Sequence, residues 1–144
     1  MARLKTSMFR LIIFLRPFAK YILITWLITI IVVSSIPSIP TLKIHVAKSE
    51  FRLDYLIHFC EYGLLALMAF LTFADSGFEI RCRKMILLTA GLILFAILDE
   101  FHQKFIPGRS FNVKDILSNI SGILAALIFC IVVFRLIKIP RFHH

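Results

Sequence analysis

The sequence predicts an all-α, polytopic membrane protein with four transmembrane helices and an N-terminal amphipathic segment. Three observations predict this fold class: 60% of the 144 residues are hydrophobic, only 17% are charged, and the mean hydropathy is +0.91. A soluble domain usually has about 45–50% apolar and about 25% charged residues. Because the chain has the length of one domain, we expect a single unit over residues 1–144.

Four apolar segments are long enough to cross the hydrocarbon core, which takes roughly 20 residues. The first ends before Pro37, and Lys20 near its start can extend towards the headgroups. The predicted spans are 18–36, 54–74, 84–105 and 113–137. Residues 1–17 carry Arg and Lys among Leu, Ile and Phe, a pattern typical of an amphipathic stretch that lies on the membrane surface.

The formal net charge of +9 would favour nucleic-acid binding in a soluble protein. Here the cations flank apolar runs and form no basic stripe interleaved with aromatics, so we discount nucleic acid as a partner. Of the 17 Lys and Arg residues, 11 fall on the side of the N-terminus and 6 on the other side. The positive-inside rule therefore predicts a multi-pass protein of the cell membrane with both termini in the cytoplasm.

Ionisable and amide side chains recur at the ends of three predicted spans. Each charge at mid-depth of a bilayer costs roughly 2.5–3.5 kcal/mol on insertion scales, so their number indicates a site. The residues are Asp54, His58 and Glu61, then Asp99, Glu100, His102 and Gln103, then Arg109, and finally Asp115 and Asn119. With the predicted orientation all of them fall in the outer half of the membrane.

Helical spacing predicts that these side chains face one another and not lipid. Residues four and seven apart share one helix face, as Asp54, His58 and Glu61 do. Asp115 and Asn119 are also four apart, and the small residues Ser118, Gly122 and Ala126 form a row that lets helix backbones approach closely. We expect His58 and Arg109 to supply the counter-charges, with Lys104 and Lys114 as secondary candidates.

Simpler roles remain open for several of these residues. Asp54 can cap the second span, because Asp is a preferred N-cap residue. Asn112 and Asp115 resemble a capping box at the start of the fourth span. Asn119 can hydrogen-bond across helices as a packing device. His58 and Glu61 lie inside a span, where such roles are harder to assign.

Three sequence blocks resemble motifs of the VanZ-like family. The block D-Y-L-I-H-F-C-E-Y at 54–62 is similar to that family's D-K-x-x-H-F-x-x-Y stretch. The block D-E-F-H-Q-K-F-I-P-G-R at 99–109 is similar to D-E-x-x-Q-x-F-x-P-G-R, and D-I-L-S-N-I-S-G at 115–122 to D-x-x-x-N-x-x-G. The blocks occur in family order over about residues 54–122. Tyr55 stands where many members have Lys, which removes a cation near Asp54.

The resemblance implies an integral bacterial membrane protein with four or five helices. The family's namesake is linked to low-level resistance to the glycopeptide teicoplanin. The matching positions are Asp54, His58, Tyr62, Asp99, Glu100, Gln103, Pro107, Gly108, Arg109, Asp115, Asn119 and Gly122.

The residues and the resemblance together leave three functional hypotheses. The first is binding or modulation of a lipid headgroup, a lipid-linked cell-wall precursor or a teicoplanin-type lipoglycopeptide at the cell envelope. Arg109 could then hold a phosphate or carboxylate through a bidentate fork. The expected binding residues are Asp54, Tyr62, Gln103, Arg109, Asp115 and Asn119.

The second hypothesis is a membrane-embedded enzyme that acts on a phosphate-bearing lipid. The candidate acids and bases are His58, Glu61, Asp99 and Glu100, which could also hold a divalent cation. The identity of a metal or another cofactor stays open. The third hypothesis is a purely structural polar network, although buried ionic networks do not reliably add stability.

Overall fold

The protein is a helical bundle with one small β-hairpin, and it is described here from a computed structural model. The structure describes residues 2–38, 43–46, 49–75 and 80–137. The helices are α1 (Ala2–Ser34), α2 (Leu53–Phe73), α3 (Cys82–Gln103) and α4 (Val113–Ile137). The hairpin consists of β1 (Lys43–Val46) and β2 (Ser49–Arg52), which pair antiparallel with Lys43 opposite Arg52.

The prediction of four transmembrane helices is confirmed. Each described helix contains a segment long and apolar enough to cross a membrane. The segments are Ile12–Ser34, Leu53–Phe73, Cys82–Gln103 and Val113–Leu136. Outward-facing Ile86, Leu87 and Ile128 are each more than 60% exposed, as expected for side chains that face lipid. The chain is therefore a multi-pass membrane protein.

Two local features differ from the sequence-based expectation. Helix α1 begins at Ala2 and continues through Pro17 to Ser34, so it starts well before residue 18, where the first span was predicted to begin; its segment Ile12–Ser34 is long and apolar enough to cross a membrane. The predicted amphipathic segment and the first span are thus parts of one helix, and a position on the membrane surface stays a prediction for its first turns. The hairpin between α1 and α2 was not predicted, because its strands are far shorter than a membrane span. Residues 47–48, between the two strands, lie outside the described residues.

Helix α2 is the centre of the bundle. It packs most extensively on α4, next on α1, and less on α3, while α3 packs mainly on α4. Gly122 of α4 lies directly on the backbone of α2: a Cβ added there would overlap the carbonyl oxygen of Phe59 and would lie 3.0 Å from the backbone nitrogen of Gly63. Gly122, the middle residue of the small-residue row, therefore brings α2 and α4 into backbone contact.

Two cations bind backbone carbonyl oxygens at the C-terminal end of α2. Arg16 Nη2 donates a hydrogen bond to the carbonyl oxygen of Ala74 at 2.9 Å, and Lys84 Nζ donates to that of Phe73 at 3.0 Å. The last carbonyls of a helix lack intrahelical donors and carry partial negative charge, so cations are favoured there. The opposite end of α2 is rich in carboxylates, and the two ends of the bundle therefore differ in chemistry.

Candidate functional site

Polar side chains from α2, α3, α4 and the α3–α4 loop gather at one end of the bundle. Here α2 and α4 begin and α3 ends, so the three helices bring their polar turns to the same level. We call this group the polar cluster; it comprises His58, Glu61, Tyr62, Asp99, Glu100, Gln103, Arg109, Asn112, Asp115 and Asn119. Within the described chain, five of the six buried polar or charged side chains belong to it, and Ser34 is the sixth.

Asp99 is the centre of the contact between α2 and α3. Its Oδ2 accepts hydrogen bonds from Tyr62 Oη at 2.9 Å and from Gln103 Nε2 at 3.4 Å, and all three side chains are buried. Gln103 reaches Asp99 because residues four apart share a helix face. The buried aspartate thus has donors from its own helix and from α2, which satisfies the requirement that a buried charge be hydrogen-bonded.

Glu100 is tied to the start of α4. Its side chain is fully buried, and its Oε1 accepts a hydrogen bond from the backbone nitrogen of Asn112 at 2.8 Å. The side chain of Asn112 caps α4, because its Oδ1 accepts from the backbone nitrogen of Lys114 at 3.1 Å and its Nδ2 donates to Asp115 Oδ1 at 3.0 Å. The expected capping box is thereby modified: the backbone N–H of Asn112 donates to Glu100 instead of to Asp115.

His58 joins α2 to the same group. Its Nε2 lies 3.8 Å from Asp115 Oδ2, a distance at which a protonated imidazole forms an ion pair with the carboxylate. This contact and the Gly122–Phe59 contact show that one face of α4 lies on α2. Asn119 is four residues beyond Asp115 and three before Gly122 on that same face, so its side chain lies in the α2–α4 interface, one turn below Asp115.

Arg109 links the α3–α4 loop to the end of α1. Its Nη2 donates a hydrogen bond to the carbonyl oxygen of Val33 at 3.4 Å, in the last turn of α1, where a cation is favoured. The backbone nitrogen of Ser38 donates to the carbonyl oxygen of Pro107 at 3.1 Å. Gly108 has φ +77°, and an added Cβ would overlap Ser38 Oγ, so the Pro107-Gly108 turn needs glycine for two reasons.

Glu61 is the half-buried carboxylate of the cluster. It lies close enough to Asp99 and Arg109 to interact electrostatically with both. Its backbone carbonyl accepts a hydrogen bond from Trp26 Nε1 at 2.9 Å, which fixes α1 against α2 at this level. Tyr62 interacts electrostatically with Glu61, Asp99 and Glu100, and it donates its hydrogen bond to Asp99.

The remaining candidate residues are placed differently. Asp54 is half-buried within the first turn of α2, one residue inside the helix that begins at Leu53. A carboxylate in a first turn is favoured by the helix dipole even where it is not the N-cap. His102 is exposed and does not join the cluster. Asn112 was missed as a cluster member, although its position just before the fourth span was a signal.

Five side-chain atoms of the cluster are buried without a hydrogen-bond partner. They are His58 Nδ1, Glu100 Oε2, Arg109 Nε, Asn119 Nδ2 and Asn119 Oδ1. In the part of the chain that the structure describes, every buried unpartnered side-chain nitrogen or oxygen lies in the polar cluster. Asn119 stands out because its side chain is fully buried and neither amide atom is paired.

The cluster does not form a recognisable metal centre. Among residues 2–38, 43–46, 49–75 and 80–137, no group of three or more His, Cys, Asp or Glu side chains has an arrangement that could hold a metal ion. The carboxylates are instead joined by amide, phenol and backbone donors. The divalent-cation version of the enzyme hypothesis therefore gains no geometric support.

The fold and the cluster define a class: a four-helix, multi-pass membrane protein in which ionisable side chains of three helices meet at one end of the bundle. A family model described as VanZ/LLP1 matches residues 3–135. The chain therefore belongs to the VanZ/LLP1 family, and the resemblance of its three motif blocks is confirmed. No curated protein and no solved structure gave a match to the chain.

Proposed function

We propose that the polar cluster binds the polar headgroup of a membrane amphiphile in the outer half of the bacterial cell membrane, without chemical turnover. Candidate ligands are a membrane lipid, a lipid-linked cell-wall precursor and a lipoglycopeptide of the teicoplanin type. The observation that carries the proposal is the concentration of buried, unpartnered polar atoms in this one cluster.

Unpartnered buried groups favour a binding role over a purely structural network. A buried donor or acceptor that lacks a partner costs about 1–3 kcal/mol, and more if it is charged. A network that served only to fix helix register would be most stable if each polar group had a hydrogen-bond partner. The Asn119 amide and the second oxygen of Glu100 are unpaired, which is the pattern of groups that meet a ligand.

The expected orientation supports an encounter with the outer leaflet. The positive-inside rule favours the end of the bundle near Arg16 and Lys84 as the cytoplasmic end. The polar cluster then lies just below the outer headgroups. An amphiphile can reach this depth from within its own leaflet, since its acyl chains stay in the hydrocarbon while its headgroup enters the cluster.

Native mass spectrometry of the detergent-solubilised protein tests the proposal. The wild-type protein should retain a co-purified amphiphile, whereas Asn119→Leu should retain none and still fold, because leucine has a similar volume and removes two unpaired atoms. Ser121→Leu is the matched control, since Ser121 is exposed on the same helix.

Three other results would count against the proposal. If the wild type and Asn119→Leu retain the amphiphile equally, the polar cluster is not its binding site. Loss of folding by Asn119→Leu but not by Ser121→Leu would favour the structural network. A change in the mass of an added lipid or precursor that depends on Glu61 would favour the enzyme alternative.

A further inference from the structure

We infer that the headgroup held by the polar cluster is zwitterionic: a primary ammonium joined to a phosphate by a short linker, as in phosphoethanolamine. This inference rests on the proposed function, and it specifies the chemistry of the ligand. It is carried by the charge balance of the cluster and by two buried atoms of opposite hydrogen-bonding type.

The formal charge of the polar cluster favours a ligand that carries a positive group. The cluster contains the four carboxylates of Glu61, Asp99, Glu100 and Asp115. Its cationic groups are Arg109 and, when protonated, His58, while Lys104 and Lys114 at the same end of the bundle are exposed. By formal count the carboxylates outnumber the cationic groups of the cluster, and in a low-dielectric bilayer such an excess is relieved either by protonation or by a cationic ligand. A purely anionic headgroup would increase this excess, whereas an ammonium would reduce it.

Glu100 supplies the acceptor for the ammonium. Its side chain is fully buried, its Oε1 is taken by Asn112, and its Oε2 has no partner. It also interacts electrostatically with the carboxylates of Asp99 and Asp115 and with the guanidinium of Arg109. A donor that carries positive charge and N–H groups satisfies both the open acceptor and the local charge.

Arg109 supplies the donor for the phosphate. Its Nε is buried and unpartnered, although its Nη2 donates to Val33. Glu100 and Arg109 also interact electrostatically with each other. A headgroup with opposite charges a few bonds apart can pair with both at once.

Asn119 is a second, independent indication of a ligand at this place. Its fully buried amide has one open donor and one open acceptor, and it lies between the His58–Asp115 contact and the Gly122 contact. Of the four carboxylates, Glu61 is half-buried, whereas Asp99, Glu100 and Asp115 are buried.

Lipids that share the same acyl chains and differ only in headgroup show which headgroup chemistry the cluster prefers. The full-length protein is placed in nanodiscs of phosphatidylethanolamine, phosphatidylcholine or phosphatidylglycerol, and lipid retained after transfer to detergent is counted by native mass spectrometry. We expect phosphatidylethanolamine to be retained at least about tenfold better than either of the others, the ratio expected for one lost charged hydrogen bond. Phosphatidylcholine keeps the charge but has no N–H, and phosphatidylglycerol has no cation.

The variant Glu100→Gln tests the proposed acceptor. Glutamine keeps an oxygen for the Asn112 N–H but removes the charge, so we expect the preference for phosphatidylethanolamine over phosphatidylcholine to fall about tenfold. Asp75→Asn is the control, because it removes a carboxylate at the opposite end of α2. An unchanged preference in Glu100→Gln would overturn the role of Glu100, and the wild-type lipid comparison stands even if this variant does not fold.

The outcomes separate this inference from the proposed function. Preferred retention of phosphatidylglycerol would overturn the zwitterion and leave headgroup binding intact. Retention of no lipid, precursor or lipoglycopeptide would overturn both. Soluble phosphoethanolamine added as a competitor distinguishes the source: we expect the lipid to stay bound, and its displacement would assign the same chemistry to a soluble ligand.

Discussion

At the scale of single residues, the cluster combines paired and unpaired buried groups. Asp99 has donors from Tyr62 and Gln103, and Asp115 contacts His58 and Asn112. Glu100 and Asn119 are as deeply buried but keep open atoms. The paired residues connect the three helices, and the unpaired atoms are those that the proposed ligand would contact.

Removal of the Tyr62 hydroxyl should destabilise the protein. In Tyr62→Phe, Asp99 keeps only the longer bond from Gln103, and a buried carboxylate loses its closest donor. We expect a loss of about 1–3 kcal/mol in the free energy of unfolding in detergent. Tyr21→Phe is the control, since Tyr21 is exposed on α1. Equal stability of Tyr62→Phe and the wild type would show that this bond contributes little.

At the scale of elements, the α2–α4 contact sets the geometry of the cluster. Backbone contact at Gly122 fixes the distance and rotation of α4 on α2, and therefore the distance between His58 and Asp115 two turns away. The cap at Asn112 fixes where α4 begins. The geometry of the cluster thus depends on two local contacts, the side-chain cap at the start of α4 and the backbone contact in the α2–α4 interface.

Gly122→Ala should separate α2 from α4. The added methyl group meets backbone atoms of Phe59 and Gly63, which cannot rotate away as a side chain can. We expect a loss of about 1–3 kcal/mol or more in the free energy of unfolding. Gly91→Ala is a matched control in α3, because nothing lies within 4 Å of its added Cβ, and it should keep or raise the unfolding midpoint. Similar midpoints for the two variants would contradict the close contact.

Asn112→Ala should weaken the start of α4. The variant loses the cap to Lys114 and the bond to Asp115, and loss of an N-cap costs about 0.5–2 kcal/mol. Asn112→Ser keeps a capping oxygen and should retain most of the stability. The measurement is thermal unfolding in detergent followed by circular dichroism. If Asn112→Ser is as unstable as Asn112→Ala, the lost stability comes from the hydrogen bond to Asp115 and not from the cap.

At the scale of the whole molecule, the two ends of the bundle differ in chemistry. Arg16 and Lys84 bind carbonyl oxygens at one end, and the buried carboxylates gather at the other. The orientation in which the polar cluster faces outwards follows from the count of positive charges and stays a prediction. Three basic residues in that count, 48, 138 and 141, lie outside the described residues.

Thiol labelling of intact bacterial cells tests this orientation. Ser110→Cys places a thiol in the exposed α3–α4 loop, whereas native Cys82 is exposed at the other end of α3. A membrane-impermeant maleimide, with the modified sites mapped by peptide mass spectrometry, should label residue 110 in intact cells and Cys82 only after permeabilisation. The reverse pattern would place the cluster on the cytoplasmic side.

The sequence predicts some levels of this structure better than others. Four spans and the convergence of polar side chains follow from hydrophobic length and from three- and four-residue spacing, because both are local properties. The hairpin at 43–52 was not predicted because its two strands, of four residues each, are too short to give a clear hydrophobic pattern. Two contacts could not be predicted because a side chain bonds to a main-chain atom, which every residue has. They are the bond from Arg109 to the carbonyl oxygen of Val33 and the bond from the backbone nitrogen of Asn112 to Glu100.

The most direct test of the central claim is an experimental structure of the protein in a phosphatidylethanolamine bilayer. The account predicts a headgroup within hydrogen-bonding distance of Glu100 Oε2 and the Asn119 amide, with the acyl chains along the bundle. A cluster that is closed on itself, with Glu100 and Asn119 paired to protein atoms and lipid headgroups elsewhere, would contradict it.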